Sequence, residues 1–289
     1  MLRALTSGVS GIQQFQNRLD VIGNNIANSN TIAFKAARVD FADAFSQTLQ
    51  VSSASSSGSG QAGMQVGSGV ATSSVKNIFT QGALNRTGVG TDLAIDGDGF
   101  FVVKDPVSAI EYVTRAGDFR IDSNNYLITN KGMRLQGYNH ADNTPTGVRG
   151  DIQIDAQYVP PTTSPTAKMT TFSIGRDGTV NVHMSDATQY IRGQILMQRF
   201  SDPQALLKEG DNLYSGIASA GPLGGATPLA AAPGSNGLGG IESSALELSN
   251  VDLANEFANL IATQRGFQAS ARIITTSDEI LQELVNLKR

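Results

Sequence analysis

The sequence predicts an α+β protein: paired N- and C-terminal coiled-coil-like helices plus an antiparallel β-rich middle domain. Three observations lead there. Apolar residues recur at helical spacing at both ends of the chain. Between them the period shortens to brief runs separated by Asp-Gly and Asn turns. The composition, with 31 glycines in 289 residues and 40% hydrophobic side chains, suits a turn-rich β body better than an all-helical one.

Residues 1–49 hold the first helix and a bend. Leu5, Ile12, Leu19 and Ile26 are spaced by seven, with Phe15 and Ile22 three residues after Ile12 and Leu19. Gly8 and Gln16 dilute this seam. Asn24, Asn25, Asn28 and Asn30 compete with helical backbone bonds, so the helix ends among them. Phe34, Phe41 and Phe45 follow at helical spacing as packing anchors. Residues 50–75, a low-complexity run of Ser, Gly, Ala and Gln, cannot order themselves by burial and read either as a flexible connector or as an extended segment that orders against neighbours.

The β domain spans 76–219. Residues 93–95 and 100–103 flank Asp96-Gly97-Asp98-Gly99, which reads as a hairpin turn. Strands follow at 111–115, 126–129 and 134–138, then a hairpin across Arg176-Asp177-Gly178 and another strand at 194–200. No helical pattern intervenes, which favours antiparallel pairing over alternating α/β units. Residues 220–245, rich in Gly, Ala and Pro, form a return connector, and 246–289 the last helix.

That last helix carries the longest pattern. A four-then-three spacing picks out Leu253, Phe257, Leu260, Gln264, Phe267, Ala271, Ile274, Asp278, Leu281 and Val285, with Ile273, Ile280 and Leu287 in a second row. The segment has no Pro and one internal glycine, Gly266. About 40 residues make a rod of roughly 60 Å. Gln264 and Asp278 either mark a drift of the stripe to the surface or fix the register of packed helices. Two helices do not cover all of this apolar surface. Burying each large aliphatic side chain is worth roughly 1.5–3 kcal/mol, so the stripes favour self-association.

Composition excludes several functions. A net charge of −4 with scattered Lys and Arg argues against nucleic-acid and anionic-membrane binding. The absence of cysteine removes disulfides and thiolate metal sites. No run reaches the 18 or so apolar residues of a membrane span, and Leu5, Val9 and Ile12 are too separated to form the core of a cleavable signal. The Asp96–Gly99 turn lacks the oxygens of a calcium loop, with Ala94 at one ligand position. Neither His140 nor His183 has a partner at motif spacing, and no G-x-S-x-G elbow occurs. The glycines at 63–69 do not join a strand to a helix, and the Asn85-Arg86-Thr87 sequon carries little weight. No catalytic, cofactor or metal residue is assigned. A glycan hydrolase would need paired carboxylates in a cleft, whereas the Asp residues sit mostly in turns. An adhesin with a coiled-coil stalk would form a closed trimer instead of an open helix.

Several motifs carry a family resemblance. Leu19-Asp20-Val21-Ile22-Gly23-Asn24-Asn25-Ile26-Ala27-Asn28 with Phe34-Lys35 closely resembles the N-terminal motif of bacterial flagellar rod and hook proteins. Ser249-Asn250-Val251-Asp252-Leu253 and Gln264-Arg265-Gly266-Phe267-Gln268 resemble their C-terminal motif. Asp96 to Phe101, Thr114 to Phe119, Leu135 to Tyr138 and Asp211 to Tyr214 are similar to the family's β core. The motif residues carried over are Asn24, Asn25, Ala27, Asn28, Phe34, Lys35, Asn250, Gln264 and Arg265.

The resemblance implies a structural subunit, without enzymatic activity or cofactor, that polymerises into a helical tube. Its terminal helices would line the inner wall and its β domain would form the outer layer. It implies export through the type III apparatus without a cleaved signal peptide. The implied partners are many copies of itself and other axial proteins: distal rod, hook–filament junction and hook cap. Within the family, residues 249–253 and 281–289 look most like the hook subunit, a flexible joint transmitting torque from basal body to filament. Residues 139–192 leave little room for the extra outer domain of typical hook subunits, so the distal rod subunit is the alternative. The expected self-assembly interface is Leu5, Ile12, Phe15, Leu19, Ile22, Ile26, Leu253, Phe257, Leu260, Phe267, Ile274, Leu281 and Val285.

Overall fold

The computed structural model describes residues 2–52, 62–141, 144–155, 168–223 and 231–287. The chain forms two compact units. Met1–Ser29, Ala36–Ile78 and Val251–Arg289 make a helical unit; Asn30–Lys35 and Phe79–Asn250 make a β unit.

The helical unit contains α1 (Leu2–Ala27) and α2 (Leu253–Leu287). α1 stops where the Asn cluster predicts. The Asn24 carbonyl accepts both the Asn28 main-chain N–H at 3.1 Å and the Asn28 side chain at 2.9 Å, which closes the last turn. α2 starts at Leu253 and not at residue 246. Asp252 Oδ1 caps it, accepting from the N–H groups of Ala254 at 2.9 Å and Asn255 at 3.3 Å. The 35 residues of α2 make a rod of about 50 Å, shorter than the sequence pattern suggests.

The same unit carries two antiparallel ribbons, so residues 37–50 are not helical and the described part of 62–75 is extended and ordered against its neighbours. Strand Ala37–Asp43 pairs with Val70–Asn77, with a bulge between Asp40 and Phe41. Strand Ser46–Gln50 pairs with Met64–Gly67. Burial alternates along strand Val70–Asn77, with Thr72, Ser74 and Lys76 half-buried and Ser73 and Val75 exposed, but the residue types do not follow it, so the sequence shows no strand period there. The part of the expected connector at 53–61 lies outside the described residues. Phe41 packs edge-on to Phe15, with centroids 6.4 Å apart. Phe45 is 86% exposed, so it is not a packing anchor among the described residues.

The β unit is built on an antiparallel sheet. From one edge its path runs Met169–Ile174, Thr179–Met184, Gln189–Ile195, Arg134–Ala141, Phe100–Lys104, Glu111–Thr114, Leu213–Ser215 and Leu207–Gly210. One core cluster includes Leu93, Phe101, Leu135, Ile195 and Met197; a second includes Phe100, Val113, Phe200 and Tyr214. The Asp96–Gly99 turn is not a hairpin. Strand Leu93–Asp96 pairs with Gly240–Ser243, whereas Phe100–Lys104 pairs with Glu111–Thr114, so the turn passes between two sheets. Gly97 (φ 116°) and Gly99 (φ 139°) supply the backbone this crossing needs. Residues 240–247, expected in a connector and the start of a helix, instead form two strands. The second, Ala245–Glu247, pairs with Leu84–Arg86.

Candidate assembly surface and motif residues

α1 and α2 meet along small residues. A Cβ placed on Gly8 would lie 3.1 Å from the Ile274 side chain, and one on Gly11 would lie 3.1 Å from Ser270 Oγ. On α2, Thr263 and Ser277 are buried and Ser270 is half-buried, at steps of seven. Their polarity is compatible with burial because the helix itself satisfies it. Thr263 Oγ1 donates to the Asn259 carbonyl at 2.6 Å, and Ser277 Oγ to the Ile273 carbonyl at 2.7 Å.

This seam is rotated from the one that apolar spacing selects. Leu260, Phe267, Ile274 and Leu281 are half-buried, as are Leu5, Ile12, Phe15, Leu19 and Ile26, while Ile22 is buried. Leu253, Phe257 and Val285 are exposed, and so are Gln264 and Asp278. The polar pair of the expected seam therefore faces solvent in the single chain. Pattern reading ranks positions by apolarity, but closest approach between helices goes to the smallest side chains. Gly8, read as a dilution, is one of the contact points.

Large apolar side chains remain uncovered on both flanks of the seam. At roughly 100° per residue, Leu253, Phe257 and Ile261 fall about 80–160° to one side of Thr263. Ile273, Ile280, Leu284 and Leu287 fall about 60–120° to the other. All seven are exposed, Ile261 to 57% and Leu287 to 83%.

The motif residues divide into fasteners and surface. Asn25 is buried and pairs with the main chain of Ala37 as a neighbouring strand would: its Nδ2 donates to the carbonyl at 2.9 Å, and its Oδ1 accepts from the N–H at 3.0 Å. Asn250 Nδ2 donates to Thr80 Oγ1 at 2.9 Å. Phe34 and Lys35 are buried in the β unit, whereas Asn24, Ala27, Gln264 and Arg265 are exposed.

Lys35 stands in a shielded ion cluster that the sequence reading did not find. Its Nζ lies 2.6 Å from Glu247 Oε1, both side chains being 0% exposed, and it donates to the Thr80 carbonyl at 2.7 Å. Burial lowers the Lys35 pKa, against the pull of Glu247, and the nearby Arg115 cation lowers it further. Glu247 also accepts from the Gly82 N–H at 2.8 Å and from Arg115 Nη1 at 3.4 Å. Arg115 Nη2 donates to the Gly97 carbonyl at 2.8 Å. The available sequence signal was a Glu inside an apolar strand next to an Asn motif.

Comparison with known proteins gives a consistent family. Residues 5–35 match the family described as flagella basal body rod protein, 94–182 the flagellar hook protein FlgE/F/G D1 domain, and 242–287 the flagellar basal body rod FlgEFG protein C-terminal. The flagellar basal-body rod protein FlgG of Bacillus subtilis is 42% identical over 100% of both chains. The protein of that name from Borreliella burgdorferi is 34% identical, again over 100% of both. The flagellar hook protein FlgE of Borreliella burgdorferi is 28% identical, but across an alignment of 449 positions.

Proposed function

The chain belongs to the flagellar rod and hook family of axial proteins, structural components of the flagellum, and on that premise we propose that it is the distal rod subunit of the basal body. Length supports rod over hook. The Bacillus subtilis rod protein aligns end to end within 290 positions, whereas the 449-position hook alignment leaves well over a hundred without a counterpart in 289 residues. The hook reading of residues 249–253 and 281–289 gives way to the distal rod alternative.

The observation that carries assembly is the uncovered apolar surface of α2. It lies on two different flanks, one formed by Leu253, Phe257 and Ile261 and the other by Ile273, Ile280 and Leu284. Two unlike patches on one rod are not self-complementary, so they make a head-to-tail contact that continues into an open helix of subunits. Half-buried Leu260, Phe267, Ile274 and Leu281 support the rod from within. The type III export route and neighbouring axial proteins follow from the same reading.

Deleting the gene and imaging isolated basal bodies tests the placement. A distal rod subunit leaves a rod that ends short, with no hook. A complete rod lacking only its hook would return the chain to the hook.

A further inference from the structure

Three separate stretches of chain converge on Glu247. Lys35 comes from the N-terminal motif, Gly82 from the entry to the β unit and Arg115 from the strand-end motif in its middle. The main chain repeats the convergence. The Ala33 N–H donates to the Glu247 carbonyl at 2.8 Å, the Leu248 N–H to the Ala83 carbonyl at 2.9 Å, and the Asn250 N–H to the Phe34 carbonyl at 3.4 Å. Residues 30–35 and 244–250 thus lie on the β unit as each other's partners.

Charge makes the arrangement asymmetric. The site holds two cations and one anion, with Lys35 and Glu247 fully shielded and Arg115 3% exposed. Without Glu247, two like charges face each other away from water, which strongly destabilises this part of the fold. Without Lys35, Glu247 and Arg115 remain a balanced pair.

We propose that Glu247 is the keystone of a two-ended lock, in which residues 30–35 and 244–250 become ordered on the β unit together or not at all. In a chain that emerges N-terminus first, Lys35 stays hydrated until residue 247 follows. An incomplete chain therefore cannot close its β unit, and cannot present a finished subunit to a growing polymer.

Native-state hydrogen exchange on the full-length, unpolymerised protein tests this. The Ala33, Gly82 and Leu248 amides are expected to open in one step, with the same denaturant dependence. Lys35→Met, which keeps the charges balanced, accelerates all three by a common factor of about ten or more, leaving strand Thr179–Met184 unchanged. Glu247→Gln accelerates the same three further. If Ala33 opens independently of Gly82 and Leu248 in the unsubstituted protein, or if Lys35→Met accelerates Ala33 alone, the two ends are fastened separately and the lock is wrong.

Discussion

Gly266 of α2 sits so close to Phe15 of α1 that a Cβ on the glycine would lie 2.7 Å from the ring. Real side chains do not approach that closely, so Phe15 occupies the space a larger residue would need. A mid-helix glycine costs about 1 kcal/mol relative to alanine, and the close approach of Phe15 is what Gly266 makes room for. Gly266→Ala is expected to destabilise the helical unit by about 1–2 kcal/mol despite its better helix propensity. In a Phe15→Leu background, the same substitution should become neutral or stabilising. Thermal melts followed by circular dichroism in a double-mutant cycle measure this; stabilisation by Gly266→Ala alone would refute the close contact.

The Lys35–Glu247–Arg115 cluster predicts unequal costs for its members. Glu247→Gln strands two buried cations and should cost about 3–5 kcal/mol. Lys35→Met leaves a balanced pair with the Gly82 N–H still bound, and should cost less than about 2 kcal/mol. Urea unfolding of both variants gives the comparison, and equal losses would contradict the charge count.

Tyr214 makes the β unit sensitive to alkali. Its hydroxyl has no hydrogen-bond partner among the described residues, and burial pushes its pKa up to about 12. The unfolded chain releases this proton near pH 10, while the folded chain holds it to higher pH. The unfolded state therefore binds fewer protons between the two values, and stability falls as pH rises through that window, by roughly 3 kcal/mol in full. Lys35 has the opposite sign. Its lowered folded pKa means that stability increases as pH rises towards the unfolded value of 10.5. Tyr214→Phe should abolish most of the alkaline loss while changing little at neutral pH. Unfolding measured from pH 9 to 12 checks both statements.

Asn25 substitutes for a missing strand neighbour at Ala37. Asn25→Ala leaves the half-buried N–H and carbonyl of Ala37 without this partner and should destabilise the helical unit by about 1–3 kcal/mol. Asn25→Asp retains an acceptor but loses the donor, and its charge faces a carbonyl oxygen, so it should rescue little. Full stability in the Asp variant would mean that only the accepting bond matters.

How much of this was legible in the sequence depended on which signal ruled each place. The hairpin across Arg176-Asp177-Gly178 announced itself through turn chemistry, and the Asn cluster marked the end of α1. The strand at 70–77 was hidden because its half-buried positions are Thr72, Ser74 and Lys76 while Val75 is exposed, so no apolar alternation marks it. The start of α2 was misplaced because Leu246 and Leu248 extend the apolar spacing, while strand pairing with residues 84–86 and the Asp252 cap decide the boundary. The pairing seam was rotated because Thr263, Ser270 and Ser277 carry little hydrophobicity, though their step of seven was there to read. The partnership of Lys35 with Glu247 spans most of the chain, and no local pattern could join them.

The uncovered flanks of α2 are where the proposed assembly is decided. Leu260 and Phe267 lie within about 60° of Thr263, so charging them would disturb the pairing with α1 as well as any contact between copies. Phe257 and Ile261 lie away from that seam and are exposed. Sedimentation and negative-stain microscopy of the purified Phe257→Asp/Ile261→Asp protein, with its helix content checked by circular dichroism, is the direct measurement. Monomers of unchanged helicity and no rods are the predicted result; rods of normal length would show that the uncovered apolar flank does not drive assembly.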